Sequence, residues 1–74
     1  MTKAEILAKI EEYKNNPAYV GLGYQLSEII GRYDDNTHNK VVYTSEVQKI
    51  RTNLRVLNPE VKALHEVLAG MLKL

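Results

Sequence analysis

The sequence has 74 residues and contains no cysteine, tryptophan or phenylalanine, and only two prolines. Without cysteine, it has no disulfide staple, no thiolate zinc site and no cysteine nucleophile. No apolar run exceeds three residues, whereas a bilayer-spanning helix needs roughly 20. Charge of one sign is also scarce, because 10 Lys and Arg oppose 9 Asp and Glu. A net charge of +1 gives no overall attraction to nucleic acid or anionic lipid.

What remains is enough for one small globular domain. Apolar residues make up 45% of the chain, so we expect a folded helical domain over residues 1–74 rather than a disordered chain. A second domain or a cofactor-binding sheet would need more residues. With neither a signal-like apolar stretch near Met1 nor a membrane-spanning run, we expect a soluble cytoplasmic protein.

Four segments carry apolar residues at alternating intervals of three and four, which predicts amphipathic helices. Four such helices with short connections favour a compact all-α bundle. Between the second and third segments, a polar stretch predicts a loop, and the following Val-Val-Tyr predicts a short extended lead-in. The predicted helices cover residues 3–15, 17–33, 46–57 and 59–73, with the loop at 34–40 and the lead-in at 41–43.

Helix-start signals accompany these segments. Thr2 and Glu5 have the spacing of a capping box, in which each side chain accepts from the other residue's backbone N–H. Ser45 and Gln48 repeat that spacing before the third helix. An Asn N-cap followed by proline at the first helical position occurs twice, at Asn16-Pro17 and Asn58-Pro59.

Two glycines leave the start of the second helix open. Either the helix begins late, near Gly23, or Gly21 and Gly23 lie within it and allow the first helix to approach closely. The last helix carries a broad apolar face. A core this small is only marginally stable. We therefore expect that face to support self-association, for example as a homodimer, through Val67, Met71 and Leu72.

The sequence shows no reactive cluster. Asp34, Asn36 and His38 have the odd-numbered spacing of a calcium loop, but Asn39 stands where an EF-hand needs glycine. A solvated loop is the favoured interpretation, and metal binding stays open. His65 has no second histidine at ligand spacing and is interpreted as a surface or boundary residue. We therefore predict no catalytic residue, no cofactor and no metal site.

Charge is unevenly divided along the chain. Residues 1–37 carry a net charge of −2 and residues 38–74 a net charge of +3. On the predicted third helix, Gln48, Arg51 and Arg55 share an outer face, and exposed Tyr and Arg are enriched at protein interfaces. The predicted partner-binding residues are Tyr24, Tyr43, Gln48, Arg51 and Arg55.

Three hypotheses for function follow. The first is a small non-catalytic protein that acts by protein contact, as a regulator, inhibitor or immunity-type factor. The second is a nucleic-acid-binding regulator that uses the basic face of the third helix, since Arg and Gln read base edges and Lys and Arg hold phosphates. The third is a small structural subunit of a larger assembly.

Overall fold

The computed structural model describes residues 1–74 as four α-helices without a strand, which confirms the predicted all-α bundle. Neighbouring helices pack in a ring, in which α1 contacts α2, α2 contacts α3, α3 contacts α4, and α4 returns to α1. The bundle measures 33 × 23 × 21 Å. The helices are α1 (Lys3–Lys14), α2 (Val20–Asp34), α3 (Lys40–Asn53) and α4 (Pro59–Met71).

The predicted caps of α1 and α4 are confirmed. Thr2 Oγ1 accepts a hydrogen bond from the Glu5 N–H at 3.2 Å, and Glu5 Oε1 accepts from the Thr2 N–H at 2.9 Å. The bond from the Thr2 backbone also lowers the pKa of the Glu5 carboxyl. At the start of α4, Asn58 Oδ1 accepts from the Val61 N–H at 2.9 Å, ahead of a proline that needs no such bond.

The third helix lies nearer the N-terminus than predicted. Its N-cap is Asn39, whose Oδ1 accepts from the Val42 N–H at 2.9 Å. Residues 41–43 are therefore helical rather than extended, the polar loop ends at residue 39, and Ser45 lies within the helix, not at its cap. The helix ends at Asn53 rather than at residue 57.

Burial explains this shift in the register of α3. Tyr43, Val47, Ile50 and Leu54 recur at intervals of four, three and four, so they form as regular a stripe as the one predicted to end at Leu57. Tyr43 is 1% exposed, whereas Leu57 is 79% exposed. The aromatic ring contributes more buried apolar area than a leucine does, and the stripe that includes it faces the core.

The first Asn-Pro pair, Asn16-Pro17, does not start a helix. Asn16 Oδ1 accepts from the Ala18 N–H at 3.0 Å, which closes a turn, and α2 begins only at Val20. Both glycines lie within α2, and Gly23 explains how α1 comes so close. A Cβ atom at Gly23 would lie 2.6 Å from the Lys14 backbone nitrogen, whereas Gly21 faces open space.

The core is one cluster to which all four helices contribute. One of its two tyrosines, Tyr43, donates a hydrogen bond from its hydroxyl to the Met71 carbonyl at 2.7 Å, and its ring stacks on that of Tyr33 with 4.2 Å between the ring centres. This pairing satisfies the hydroxyl and ties α3 to the end of α4. The buried apolar residues are Ile6, Ile10, Tyr13, Leu26, Ile29, Ile30, Tyr43, Val47, Leu64, Val67, Leu68 and Met71.

Candidate interaction surface

The loop that resembles part of a calcium site uses its side chains for other contacts. Asp34 accepts from Lys3 Nζ at 2.7 Å, and Asp35 Oδ1 accepts from the Thr37 N–H at 2.9 Å. Hydrogen bonds from Thr37 hold the pKa of Asp35 below its ordinary value. No group of three His, Asp or Glu side chains converges in the arrangement that a metal ion requires. This geometry gives the metal hypothesis no support.

One predicted contact residue does not lie on the surface. Tyr43 is buried in the core, where its hydroxyl already has the Met71 carbonyl as its partner. The predicted lead-in at 41–43 placed Tyr43 before a helix start, whereas it lies in the first turn of α3 on the inward face.

The remaining predicted contact residues lie on α2, on α3 and beyond the end of α3. Gln48 is exposed and Arg51 half-buried on α3, but Arg55 lies two residues beyond the end of that helix. The prediction that Gln48, Arg51 and Arg55 share one face of a helix is therefore wrong. Tyr24 is 61% exposed on α2, and Lys14 Nζ lies 5.2 Å from the centre of its ring.

The residues expected to mediate self-association face the interior of the single chain. Val67 and Met71 are buried in the core, and Leu72 is half-buried against it. The apolar face of the last helix is covered by packing within the bundle, so it provides no surplus surface. The basis for self-association through these residues is thus wrong, while the oligomeric state itself stays a prediction.

The most exposed apolar side chain of the molecule lies on the connection between α3 and α4. We call residues 54–57 the linker segment. Leu57 is 79% exposed and Val56 55% exposed, whereas Leu54 packs against the core. No N–H or C=O group of residues 55–57 has a hydrogen-bond partner within the chain. The segment thus presents apolar side chains and free backbone groups together.

Both ends of the linker segment are held in place. His65 on α4 contacts the Leu54 carbonyl oxygen through Nε2 at 2.7 Å. Because a carbonyl only accepts, Nε2 carries the proton and donates. The backbone of Leu54 is extended, with ψ at 117°, and so is that of Asn58, with φ at −159° and ψ at 171°. Residues 54–57 form no helix, turn or bend, so the segment is extended between two anchored ends.

Tyr19, in the connection between α1 and α2, lies beside the start of α4. Its hydroxyl donates to Glu60 Oε2 at 3.1 Å, and this bond raises the pKa of Tyr19. The two connections therefore lie at the same end of the bundle. Val20, 40% exposed at the start of α2, adds apolar surface to this end. Glu60 is the acidic side chain nearest in sequence to the linker segment, and it is already engaged.

Ion pairing follows the uneven division of charge. Each Lys or Arg of residues 1–37 lies within 4.0 Å of a carboxylate: Lys3 pairs with Asp34, Lys9 with Glu12, Lys14 with Glu11, and Arg32 with Glu28. None of the six in residues 38–74 has such a partner. Three of those unpaired cations, Arg51, Arg55 and Lys62, lie within or a few residues from the linker segment. The chain around the linker segment therefore carries three cations without an ion-pair partner.

Away from the linker segment, a solvent-open groove of about 340 Å³ lies between α2 and α3. Arg32 pairs with Glu28 across one turn of α2, and Glu46 Oε1 lies 3.7 Å from His38 Nδ1. No serine, cysteine, tyrosine or histidine lines the groove, so it offers no hydroxyl, thiol or imidazole for nucleophilic catalysis. Its lining residues are Gln25, Glu28, Ile29, Arg32, Glu46, Lys49 and Ile50.

Sequence reasoning missed the linker segment and its anchor His65. The stripe that continued α3 to Leu57 made residues 54–57 helical, and His65 was interpreted only as a boundary residue. One signal was available, because Val56 falls outside the predicted stripe and is an unexplained apolar residue on a helix surface.

Comparison with protein-family models, curated proteins and solved structures finds no match to this chain. None of the four helices combines the length and the apolar content needed to span a membrane.

Proposed function

We propose that this chain is a non-catalytic helical protein that acts by binding another protein, and that the linker segment is its contact site. The observation that carries the proposal is the joint exposure of Val56 and Leu57 on a backbone without internal hydrogen bonds. Clustered exposed apolar side chains mark contact sites on small proteins. A role as regulator, inhibitor or immunity-type factor in the cytoplasm fits such a contact.

The experiment compares three purified chains as baits for capture from the source organism's lysate, with nuclease treatment. The bait Val56→Ser/Leu57→Ser changes only exposed side chains of the linker segment. The matched control Leu7→Ser/Val41→Ser changes two exposed apolar residues, one on α1 and one in the first turn of α3. We expect the wild-type and control baits to capture the same protein and the linker variant to lose it. Equal capture by all three baits would remove the linker segment from the interface.

Nucleic-acid binding is the second candidate, and the six unpaired cations of residues 38–74 favour it. The predicted basic face of α3 does not exist as such, because Arg55 lies beyond the helix end. Electrophoretic mobility at two salt concentrations separates the two functions. Phosphate contacts predict a shift at low salt that weakens steeply as salt rises, and no shift at low salt would discard this candidate.

The third hypothesis, a structural subunit of a larger assembly, stays a prediction that light scattering after size exclusion addresses. A subunit of a self-assembling structure associates as its concentration rises. A chain that stays monomeric at high concentration would contradict self-assembly, although it would remain compatible with a one-to-one complex.

A further inference from the structure

We infer that the linker segment binds an extended, acidic peptide segment of the partner protein, which pairs with it backbone to backbone. This inference rests on the proposed function and specifies the chemistry of the partner at the same surface. Three features of the segment carry it: free backbone groups in an extended chain, anchored ends, and unpaired cations beside exposed apolar side chains.

The free backbone groups select an extended ligand. Residues 55–57 offer three N–H and three C=O groups that make no hydrogen bond within the chain. A partner helix has its own backbone groups paired internally and cannot satisfy them, whereas a partner strand can. Along an extended segment, successive residues present these groups on alternate sides. A strand laid along one side therefore pairs with alternate residues of the linker segment.

The anchors keep the segment extended before a partner arrives. His65 holds the Leu54 carbonyl at 2.7 Å, and the Asn58 side chain is fixed as the cap of α4. A segment that is ordered in advance loses less conformational entropy when it binds. The linker segment is therefore an extended segment that is held at both ends.

The charges select an acidic ligand. Arg51, Arg55 and Lys62 have no carboxylate within ion-pair distance. The nearest acidic residue in sequence, Glu60, already accepts a hydrogen bond from Tyr19. A partner with Asp or Glu beside its apolar residues would complement these cations, while Val56 and Leu57 pack on its apolar side chains.

The same charges disfavour a second copy of the chain as the occupant. Symmetric pairing of two linker segments would bring two sets of Arg51, Arg55 and Lys62 together, and like charges placed across an interface are unfavourable. A partner that carries the opposite charge avoids this repulsion.

The test begins with a display library of random peptides of about eight residues, a strand-sized length, selected on the immobilised full chain. Peptides that emerge are synthesised, and their affinities are measured for wild type and variants. We expect Asp or Glu interspersed with apolar residues in the selected sequences. Val56→Ser/Leu57→Ser should weaken binding by about tenfold or more.

Charge variants test the electrostatic part. Arg55→Gln/Lys62→Gln should weaken binding and reduce its salt dependence. The matched control Lys40→Gln/Lys73→Gln removes two cations that also lack ion pairs but lie at the opposite ends of α3 and α4, and it should bind as wild type does. Equal losses for both charge variants would overturn the assigned location.

N-methylation tests the backbone pairing. Methyl groups on alternate amides of the selected peptide should abolish binding when they fall on the paired side and be tolerated on the other side. Equal tolerance at every position would overturn backbone pairing. Selection of basic or uncharged peptides would overturn the acidic partner. If single-stranded oligodeoxythymidine of about twenty nucleotides displaces the selected peptide, nucleic acid is the occupant instead. If the wild type forms a dimer that Leu57→Ser loses, a second copy of the chain is the occupant.

The proposed function and the inferred partner chemistry are overturned by different results. If lysate capture depends on Val56 and Leu57 but selected peptides are neutral or tolerate N-methylation throughout, the proposed function stands and the inferred partner chemistry falls. If capture ignores the linker segment, the proposed function itself falls.

Discussion

The Nε2 atom of His65 lies 2.7 Å from the carbonyl oxygen of Leu54, so a side chain of α4 holds the residue that follows α3 and packs against the core. The bond joins two positions 11 residues apart in sequence. The exposed Val56 and Leu57 therefore lie on an extended segment whose first residue, Leu54, is anchored. The geometry of the contact site thus depends on a residue outside it.

Replacing His65 by Ala tests this dependence. We expect the free energy of unfolding to fall by about 1 kcal/mol, since one hydrogen bond is lost and a half-buried carbonyl is left unpaired. The backbone amide resonances of residues 54–57 should shift and exchange faster with solvent. Urea unfolding and nuclear magnetic resonance measure the two effects.

The control for His65 is its neighbour Glu66, which is exposed and makes no ion pair. Glu66→Ala should leave both the stability and the amide resonances of residues 54–57 near wild type. If the two variants affect the linker segment equally, the anchoring role of the histidine is wrong.

Gly23 and Gly31 make a matched pair on α2. A Cβ at Gly23 would lie 2.6 Å from Lys14 N and 2.9 Å from Tyr13 C, both backbone atoms that cannot rotate away. Gly23→Ala should therefore destabilise the fold by about 1–3 kcal/mol. Gly31 faces open space, so Gly31→Ala should stabilise by about 0.5–1 kcal/mol through helix propensity alone. Thermal unfolding distinguishes the two signs, and equal effects would contradict the close approach of α1 and α2.

The sequence was sufficient for the fold class and for two of the helix starts. Apolar spacing in α1, α2 and α4 identified the helices, and the caps at Thr2 and Asn58 act locally, so their residues alone determine them. Helix α3 was misplaced because two stripes of equal regularity overlap, one starting at Tyr43 and one ending at Leu57. Which of the two stripes faces the core depends on how well its side chains fill the space between the four helices, and spacing alone does not show this.

The contact site was less accessible to sequence reasoning. Arg51 and Arg55 were predicted as contact residues on an outer face, and Arg51 precedes the proposed site while Arg55 lies within it. The linker segment was not predicted, because it is extended only as a consequence of α3 ending at Asn53. The anchoring bond from His65 joins side chain to backbone across two elements, and no spacing rule encodes such a contact.

Tyr43 gives the fold a dependence on alkaline pH. Burial, with smaller contributions from Tyr33 and Asp34, raises its pKa from 10.0 to about 12. Between those values the unfolded chain has released this proton while the folded chain keeps it, so stability falls as pH rises. Below pH 10 the contribution is fully present. The raised pKa values of Tyr13 and Tyr19 act in the same direction.

Urea unfolding at several pH values checks this prediction on wild type and Tyr43→Phe. At neutral pH the variant should be less stable by about 1 kcal/mol, because the hydrogen bond to the Met71 carbonyl is lost. Above pH 10 its decline should be shallower than that of wild type. Tyr24→Phe, at an exposed position without a hydrogen bond, should behave as wild type does. Parallel declines for all three proteins would contradict the assignment.

The two competing starts of α3 can be separated by alanine substitutions. Asn39 caps the helix through the Val42 N–H, so Asn39→Ala should destabilise the fold by about 1 kcal/mol. Ser45 lies exposed within the helix, where alanine has the higher helix propensity, so Ser45→Ala should be neutral or slightly stabilising. Had the helix begun after Ser45, the two effects would be reversed. Chemical denaturation of both variants therefore reports directly on whether Val41, Val42 and Tyr43 are helical in solution.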